Sequence, residues 1–306
     1  MQKVLQSQKV YSIVVTYNGA ETIIKCISSL INSDIKNHEI LIFDNNSCDN
    51  TVALIQKNFP DLKVKVSKEN LGYGNANNRG FIIALNECAD YIFLLDQDAW
   101  VKPTTINNLI IESLKHPSFG VFAPLQLRVD GEFDFQFAKY YDNSYPIDEN
   151  IRKCKFVNSA AWLISKECIK KVGGFSPAFQ HFGVENDYSR RVKYNEMKIG
   201  IVTSASYVHN REKRVQRELD HKNQVHQVYV NQLATLVDIN RSIVVQYLIQ
   251  FYKIFKYIFF PDKGNEHISK IAFAIGSLKA QFQFLKILKY RNRSKKPMAY
   301  LEAIRE

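Results

Sequence analysis

"YIFLLDQDAW", residues 91–100, decides how the rest of the chain is read. Tyr91 to Leu95 form a short, mostly apolar run, as expected of a strand buried on both faces. Asp96 and Asp98 fall where that strand should end. Two carboxylates one residue apart at the rim of a core suit a hard divalent cation. Mg2+ and Mn2+ prefer oxygen ligands and share them with substrate phosphates. A turn whose aspartates accept backbone amides is the plainer account of the same residues.

Working outward, strand patterns at Val10–Thr16, Glu39–Asp44, Leu62–Val66 and Tyr91–Leu95 alternate with helical ones. The helices are expected at Ala20–Ser33, Asn50–Phe59, Ala76–Cys88 and Thr104–Lys115, the second started by a cap-like Ser47 or Asp49. Such alternation with apolar strands predicts an α/β fold, a parallel sheet covered by helices. Open sheets of this kind collect ligands at the carboxyl ends of their strands. Three other strand ends are also polar: Thr16-Tyr17-Asn18-Gly19, Asp44 to Asp49, and "NLGYGNANNRG", Asn70–Gly80. Glycines there let backbone approach a ligand closely, and Arg79 can fork onto a phosphate. Each cluster alone reads as turn and cap chemistry; together they describe one pocket rim.

Past residue 118 the pattern changes. Phe119–Leu127, a turn at Asp130-Gly131 and a stretch rich in Phe and Tyr predict antiparallel β structure. Lys155–Ser165 predicts a strand, followed by a short helix stopped at Gly173-Gly174. Glu185–Asn195 is helical in pattern, Ile199–Thr203 is a strand, and Ser206–His209 closes the body. Beyond about residue 215 only helical patterns occur. In Ser242–Phe260 the polar residues Ser242, Gln246, Gln250, Lys253 and Lys256 form one thin stripe on an otherwise aliphatic and aromatic helix. Two lysines within it argue against a simple membrane span. A second helix, Ile268–Tyr290, is apolar on one side and ends in a basic run reaching Lys296.

The 306 residues, 46% of them hydrophobic, suffice for one large domain plus an appendage and exclude a disordered chain. Net charge is +11, and almost all of it lies late: from Arg211 onward there are 18 Lys+Arg against 8 Asp+Glu. A neutral body carries a basic tail. The tail's charges are interleaved with large aliphatic residues, which fits a membrane surface or a protein partner and speaks against nucleic acid. The five cysteines form no CxxC pair, and three sit in apolar runs, which suggests a reducing compartment. The first residues, MQKVLQSQK, lack the apolar core of a signal peptide.

"VVTYN", "FDNNSCDNT", "ENLGYGNANNRG" and "LLDQDAWVKP", in this order, resemble the family 2 glycosyltransferases of GT-A fold over most of residues 10–210. The resemblance implies a catalytic domain over 1–215, its mainly parallel sheet divided into a nucleotide-binding half and an acceptor half. A basic, amphipathic helical region would cover 216–306. It implies an inverting transfer of sugar from a nucleoside-diphosphate donor to a glycan hydroxyl, in bacterial surface polysaccharide synthesis, with Mg2+ or Mn2+. The Asp-Gln-Asp form is similar to that of bacterial rhamnosyltransferases, so dTDP-rhamnose stands beside a UDP-hexose as donor. Thr16, Asn18 and Asp44 match positions holding base and ribose, Asn46 and Asn78 belong to the same nucleotide-sugar rim, and Arg79 matches a position near the diphosphate. Asp96 and Asp98 match the metal motif, Asp98 more directly, and His209 matches a late histidine that completes metal coordination.

The base is expected from "FQHFGVENDYSRRV", residues 179–192. Glu185 takes the family's base position, with Val184 in place of the pair's first carboxylate, and Asp187 matches a downstream aspartate. Both stay open as the base, and both also fit first-turn acids favoured by a helix dipole. Trp162, in "NSAAWLIS", is an acceptor-side aromatic or a core residue. Expected partners are the donor, a glycan acceptor that could be lipid-linked, a membrane surface met by the C-terminal helices, and a second copy of the chain. The expected location is cytoplasmic, on the inner face of the membrane. Two rivals are a sugar nucleotidyltransferase and an inactive carbohydrate-binding relative. The first would show a glycine-rich phosphate loop with a basic residue after strand one; intact Asp96, Asp98 and Glu185 speak against the second.

Overall fold

The computed structural model describes Leu5 and residues 7–180, 183–211, 220–259 and 268–301. Its first half is the expected alternation: β1 (Val10–Thr16), α1 (Ile23–Ile31), β2 (His38–Asp44), α2 (Thr51–Asn58), β3 (Lys63–Val66), α3 (Gly72–Asn86) and β4 (Tyr91–Leu95). These four strands are parallel, in the order β3-β2-β1-β4. Tyr91 to Leu95 are all buried, with Ile92 and Leu94 in one core cluster and Tyr91, Phe93 and Leu95 in another. The strand therefore supplies both faces of the sheet, and only its end is left for polar residues.

The second half continues with β5 (Ala99–Val101), α4 (Thr105–Lys115), β6 (Phe119–Leu127), α5 (Phe135–Asp142), β7 (Tyr145–Pro146) and β8 (Ile151–Cys154). β9 (Ala161–Ser165), α6 (Lys166–Val172), α7 (Val184–Tyr194) and β10 (Lys198–His209) follow. The sheet extends past β4 as β9-β6-β10-β8-β7, with β9 antiparallel to both β4 and β6. Ile199–Thr203 and Ser206–His209, expected as separate pieces, are one strand whose register against β6 slips between Val202 and Ser206. The Phe- and Tyr-rich stretch expected as β structure is helix α5: Asp134 accepts from the backbone N–H groups of Gln136 and Phe137, and this cap starts a helix instead. Of Lys155–Ser165 only the last five residues are a strand. The turn at Asp130-Gly131 is present, Gly131 at φ 86°.

Four helices follow: α8 (His221–Leu236), α9 (Ile243–Phe259), α10 (Lys270–Gln281) and α11 (Phe284–Ser294). The helix expected over Ile268–Tyr290 is broken, with α10 and α11 bent by 63°. Among the described residues no single helix is long and apolar enough to cross a membrane, though that bent pair passes together. Ala272, Gly276 and Ala280 are buried at four-residue spacing on α10. A Cβ at Gly276 would lie 2.6 Å from the Val225 carbonyl, so glycine permits the close approach of α10 to α8. The chain then returns to the body: Gly174 N–H donates to Ala299 O at 2.8 Å, and a side chain at Gly173 would collide with the Ala299 backbone. The boundary expected between residues 215 and 216 lies outside the described residues.

Candidate active site

After Leu95 the backbone turns sharply. Asp96 N–H donates to Ala160 O of the segment entering β9, and Ala99 N–H donates to Asp96 O. The next three residues form β5, which pairs antiparallel with the end of β10, Ala99 opposite His209 and Trp100 opposite Val208. Asn210 N–H then closes onto Asp98 O at 2.9 Å. That short pairing brings His209 to the two aspartates across 111 residues of sequence. His209 Nε2 lies 3.1 Å from Asp98 Oδ1 and 3.8 Å from Asp96 Oδ2. The three donor atoms lie within 4.8 Å of one another. Ligands at right angles around an ion with bonds of about 2.1 Å sit about 3 Å apart, so the spacing fits a cation. Two carboxylates and one imidazole suit a divalent cation.

Gln97, between the aspartates, turns back to β1. Its Oε1 accepts from Thr16 Oγ1 at 2.6 Å and Tyr17 N–H at 2.9 Å, and its Nε2 donates to Tyr17 O. A Cβ at Gly19 would strike this Gln97 oxygen and lie 2.7 Å from Thr16 Oγ1. Asn18, at φ 49°, donates its backbone N–H to Ser47 Oγ and accepts Cys48 N–H on its side chain, tying the β1 and β2 ends together. Asp44 is fully buried and accepts from Ser47 through both oxygens. Asn45 bridges to Asn70 and Leu71 N–H, linking the same rim to the start of α3. Asn46, at φ 70°, and Arg79 are exposed.

Glu185 opens α7 beside this rim. Burial and then the nearby Asp96 charge raise its pKa above the usual carboxylate value, while Arg211 opposes them. Tyr73 responds to both Asp96 and Glu185, and Tyr207 to Asp96, Arg211 and both flanking acids, Asp134 and Asp98. Glu185 and Asp96 are therefore near enough to feel each other's charge.

Three expected residues are engaged elsewhere. Asp187 is buried and ion-paired with Arg191 at 2.8 Å, whose guanidinium also holds Val172 O and Gly174 O. Asn78 is buried with both ends of its amide on the Phe175 backbone, at 2.8 and 2.7 Å. Trp162 is fully buried against Tyr188, ring centroids 5.9 Å apart. Two neighbours of the site were absent from the expectation. Gln97 carries no charge to mark it, and Arg211 is signalled only by its place two residues after His209.

Comparison with known proteins bears on the family and the fold. Residues 12–173 match the model of the family described as glycosyl transferase family 2. The chain is 29% identical over 120 residues to a chondroitin synthase of Escherichia coli, covering 38% of this chain and 17% of that protein. It is 27% identical over 128 residues to an N-acetylglucosaminyl-diphospho-decaprenol L-rhamnosyltransferase of Mycobacterium tuberculosis, covering 39% of this chain and 41% of that one. The chain thus spans less than half the length of either relative. Among solved structures, Staphylococcus aureus TarS with UDP superposes with a TM-score of 0.57 at 16% identity, over 94% of this chain and 81% of that one. Pyrobaculum calidifontis mannosyltransferase PcManGT, in complex with GDP-Man and Mn2+, gives 0.59 at 16%, over 98% and 86%. At these identities the likeness is one of GT-A fold. The matched segment runs from β1 through α6 and holds the strand-end loops and both aspartates, and with it the chain belongs to glycosyl transferase family 2.

Proposed function

We propose that the protein is an inverting glycosyltransferase that moves a sugar from a nucleoside-diphosphate donor, dTDP-rhamnose or a UDP-hexose, to a hydroxyl of a glycan acceptor in bacterial surface polysaccharide synthesis. The observation that carries this reading is the cluster of Asp96, Asp98 and His209, whose donor atoms lie within 4.8 Å of one another, with Glu185 near enough to feel the Asp96 charge. Asp98, Asp96 and His209 would hold Mg2+ or Mn2+, and the bound ion supplies charge neutralisation to the departing diphosphate. The tied ends of β1 and β2, with Thr16, Asn18, Asp44 and Asn46, form the nucleotide rim, and Arg79 and Arg211 add positive charge for the phosphates. Glu185 removes the acceptor proton as that oxygen attacks the anomeric carbon from the face opposite the diphosphate. Its exposure to the Asp96 field, and the engagement of Asp187 by Arg191, favour Glu185 as base.

The C-terminal helices support contact with a membrane surface. On α9 the two glutamines of the polar stripe face inward: Gln246 and Gln250 are each 1% exposed, whereas Leu248 is 64% and Phe251 55% exposed. An inside-out helix with exposed Lys253 and Lys256 on it suits the boundary of an anionic bilayer. Nucleoside-diphosphate release, assayed across nucleotide sugars with and without Mn2+, tests the central reading. Release that is indifferent to both chelator and acceptor would refute it.

A further inference from the structure

Residues of α7 line a cleft of ≈ 700 Å³. Six cations line it: Lys153, Lys155, Arg190, Lys193, Lys198 and Arg241. Only two acids do, Glu196 and Asp238, and Asp238 already sits 3.7 Å from Arg190. Lys198 donates to Ser118 Oγ at 3.2 Å. Lys153, Lys155, Lys193 and Arg241 have no side-chain hydrogen bond or ion pair among the described residues. The floor is apolar, with buried Cys154, Val192, Met197 and Ile199. Ser189 also lines the cleft; it is 5% exposed, and its Oγ has no hydrogen-bond partner among the described residues. A buried hydroxyl without a partner inside a cationic wall is a donor waiting for an oxyanion.

Two features tie the cleft to the catalytic side. Asn186, the residue after Glu185, lines it, and so does Phe156, whose ring packs on Tyr140 at 5.2 Å. Tyr140 in turn feels both Glu185 and Arg211. Arg241 stands just before α9, whose outer face is apolar. The geometry points to a binding site for a phosphate-bearing acceptor, with the phosphate among Lys153, Lys155, Lys193, Arg241 and the Ser189 hydroxyl, and the sugar hydroxyl reaching Glu185 around the first turn of α7. This inference rests on the glycosyltransferase reading above.

Calorimetric titration of the full chain with inorganic pyrophosphate in EDTA tests it. Binding is expected to weaken at least tenfold in Lys153→Glu/Arg241→Glu and in Lys155→Glu/Lys193→Glu, all four residues being exposed, and to persist in Asp98→Asn. Unchanged affinity in both charge-reversed variants, absence of binding to the wild type, or loss of binding in Asp98→Asn would overturn the assignment. Geranyl diphosphate binding at least tenfold more tightly than pyrophosphate supports a lipid-carried acceptor; equal affinities support a water-soluble phosphate-bearing glycan. Binding of UDP and of dTDP with Mn2+, measured on the same proteins, separates the two levels. Absence of both in the wild type refutes the donor reading and leaves the pyrophosphate result standing.

Discussion

Gln97 sits between two carboxylates and has no charge, yet it joins their turn to the end of β1 through three hydrogen bonds. Gly19→Ala would push a methyl group into that contact, so donor affinity is expected to fall severalfold with little loss of fold, as read by UDP titration. Asp98→Asn keeps the shape of a triad ligand and removes its charge, and Mn2+ binding by calorimetry is expected to drop at least tenfold. For Glu185→Gln the expected loss is about 100-fold or more in turnover, with donor affinity nearly unchanged, since general-base contributions fall in that range. Because burial raises the Glu185 pKa, and the base must be ionised, the acid limb of the rate should lie above the usual carboxylate value of 4.5. A limb at or below that value in a pH-rate profile would contradict Glu185 as the titrating base. Two of the expected site residues are engaged by partners that the sequence does not announce. Asn78 and Asp187 are polar letters beside other polar letters, and only folding reveals that Phe175 and Arg191 have claimed them.

At the scale of elements, strands and helices of the first half were legible because β1, β2 and β4 are short, mostly apolar runs with polar ends and β3 alternates Lys with Val. Helix α5 was not: its aromatic residues suit a strand equally well, and one aspartate cap decides the outcome. The break between α10 and α11 carries no proline or glycine at Gln281 to Phe284, so periodicity alone runs through it. Tertiary contact explains the break better. Arg291, on α11, is buried and donates to the carbonyls of Leu236, Asp238 and Arg241 at the corner between α8 and α9. Arg291→Ala leaves those carbonyls without a donor and is expected to cost about 2–4 kcal/mol, measured by chemical unfolding. The inverted face of α9 gives the opposite expectation. Leu248→Ser with Phe251→Ser should leave unfolding almost unchanged and reduce sedimentation with anionic vesicles; equal sedimentation would remove the membrane reading.

Across the whole molecule, the sheet combines a parallel half that local pattern announces with a mixed half that it does not. Strand order is set by pairings between distant segments, and nothing near Lys198 says that β10 must lie between β6 and β8. The parallel half also carries a pH-sensitive contact. His38 Nε2 lies 2.7 Å from Ser12 Oγ, and burial lowers its pKa from 6.5 to about 4. Protonation then favours the unfolded chain, so this contribution is complete above pH 6.5 and declines as pH falls toward 4. Unfolding followed across that interval should show the decline, and His38→Gln should flatten it. The place of β10 has a further consequence for synthesis. A ribosome that has just added residue 173 has delivered the parallel half and both aspartates, but the imidazole that lies beside them is still 36 codons away. Since β5 can pair only with the far end of β10, a chain halted before Lys198 should fail to retain Mn2+, making ion capture a late signal that translation has carried the body to its end.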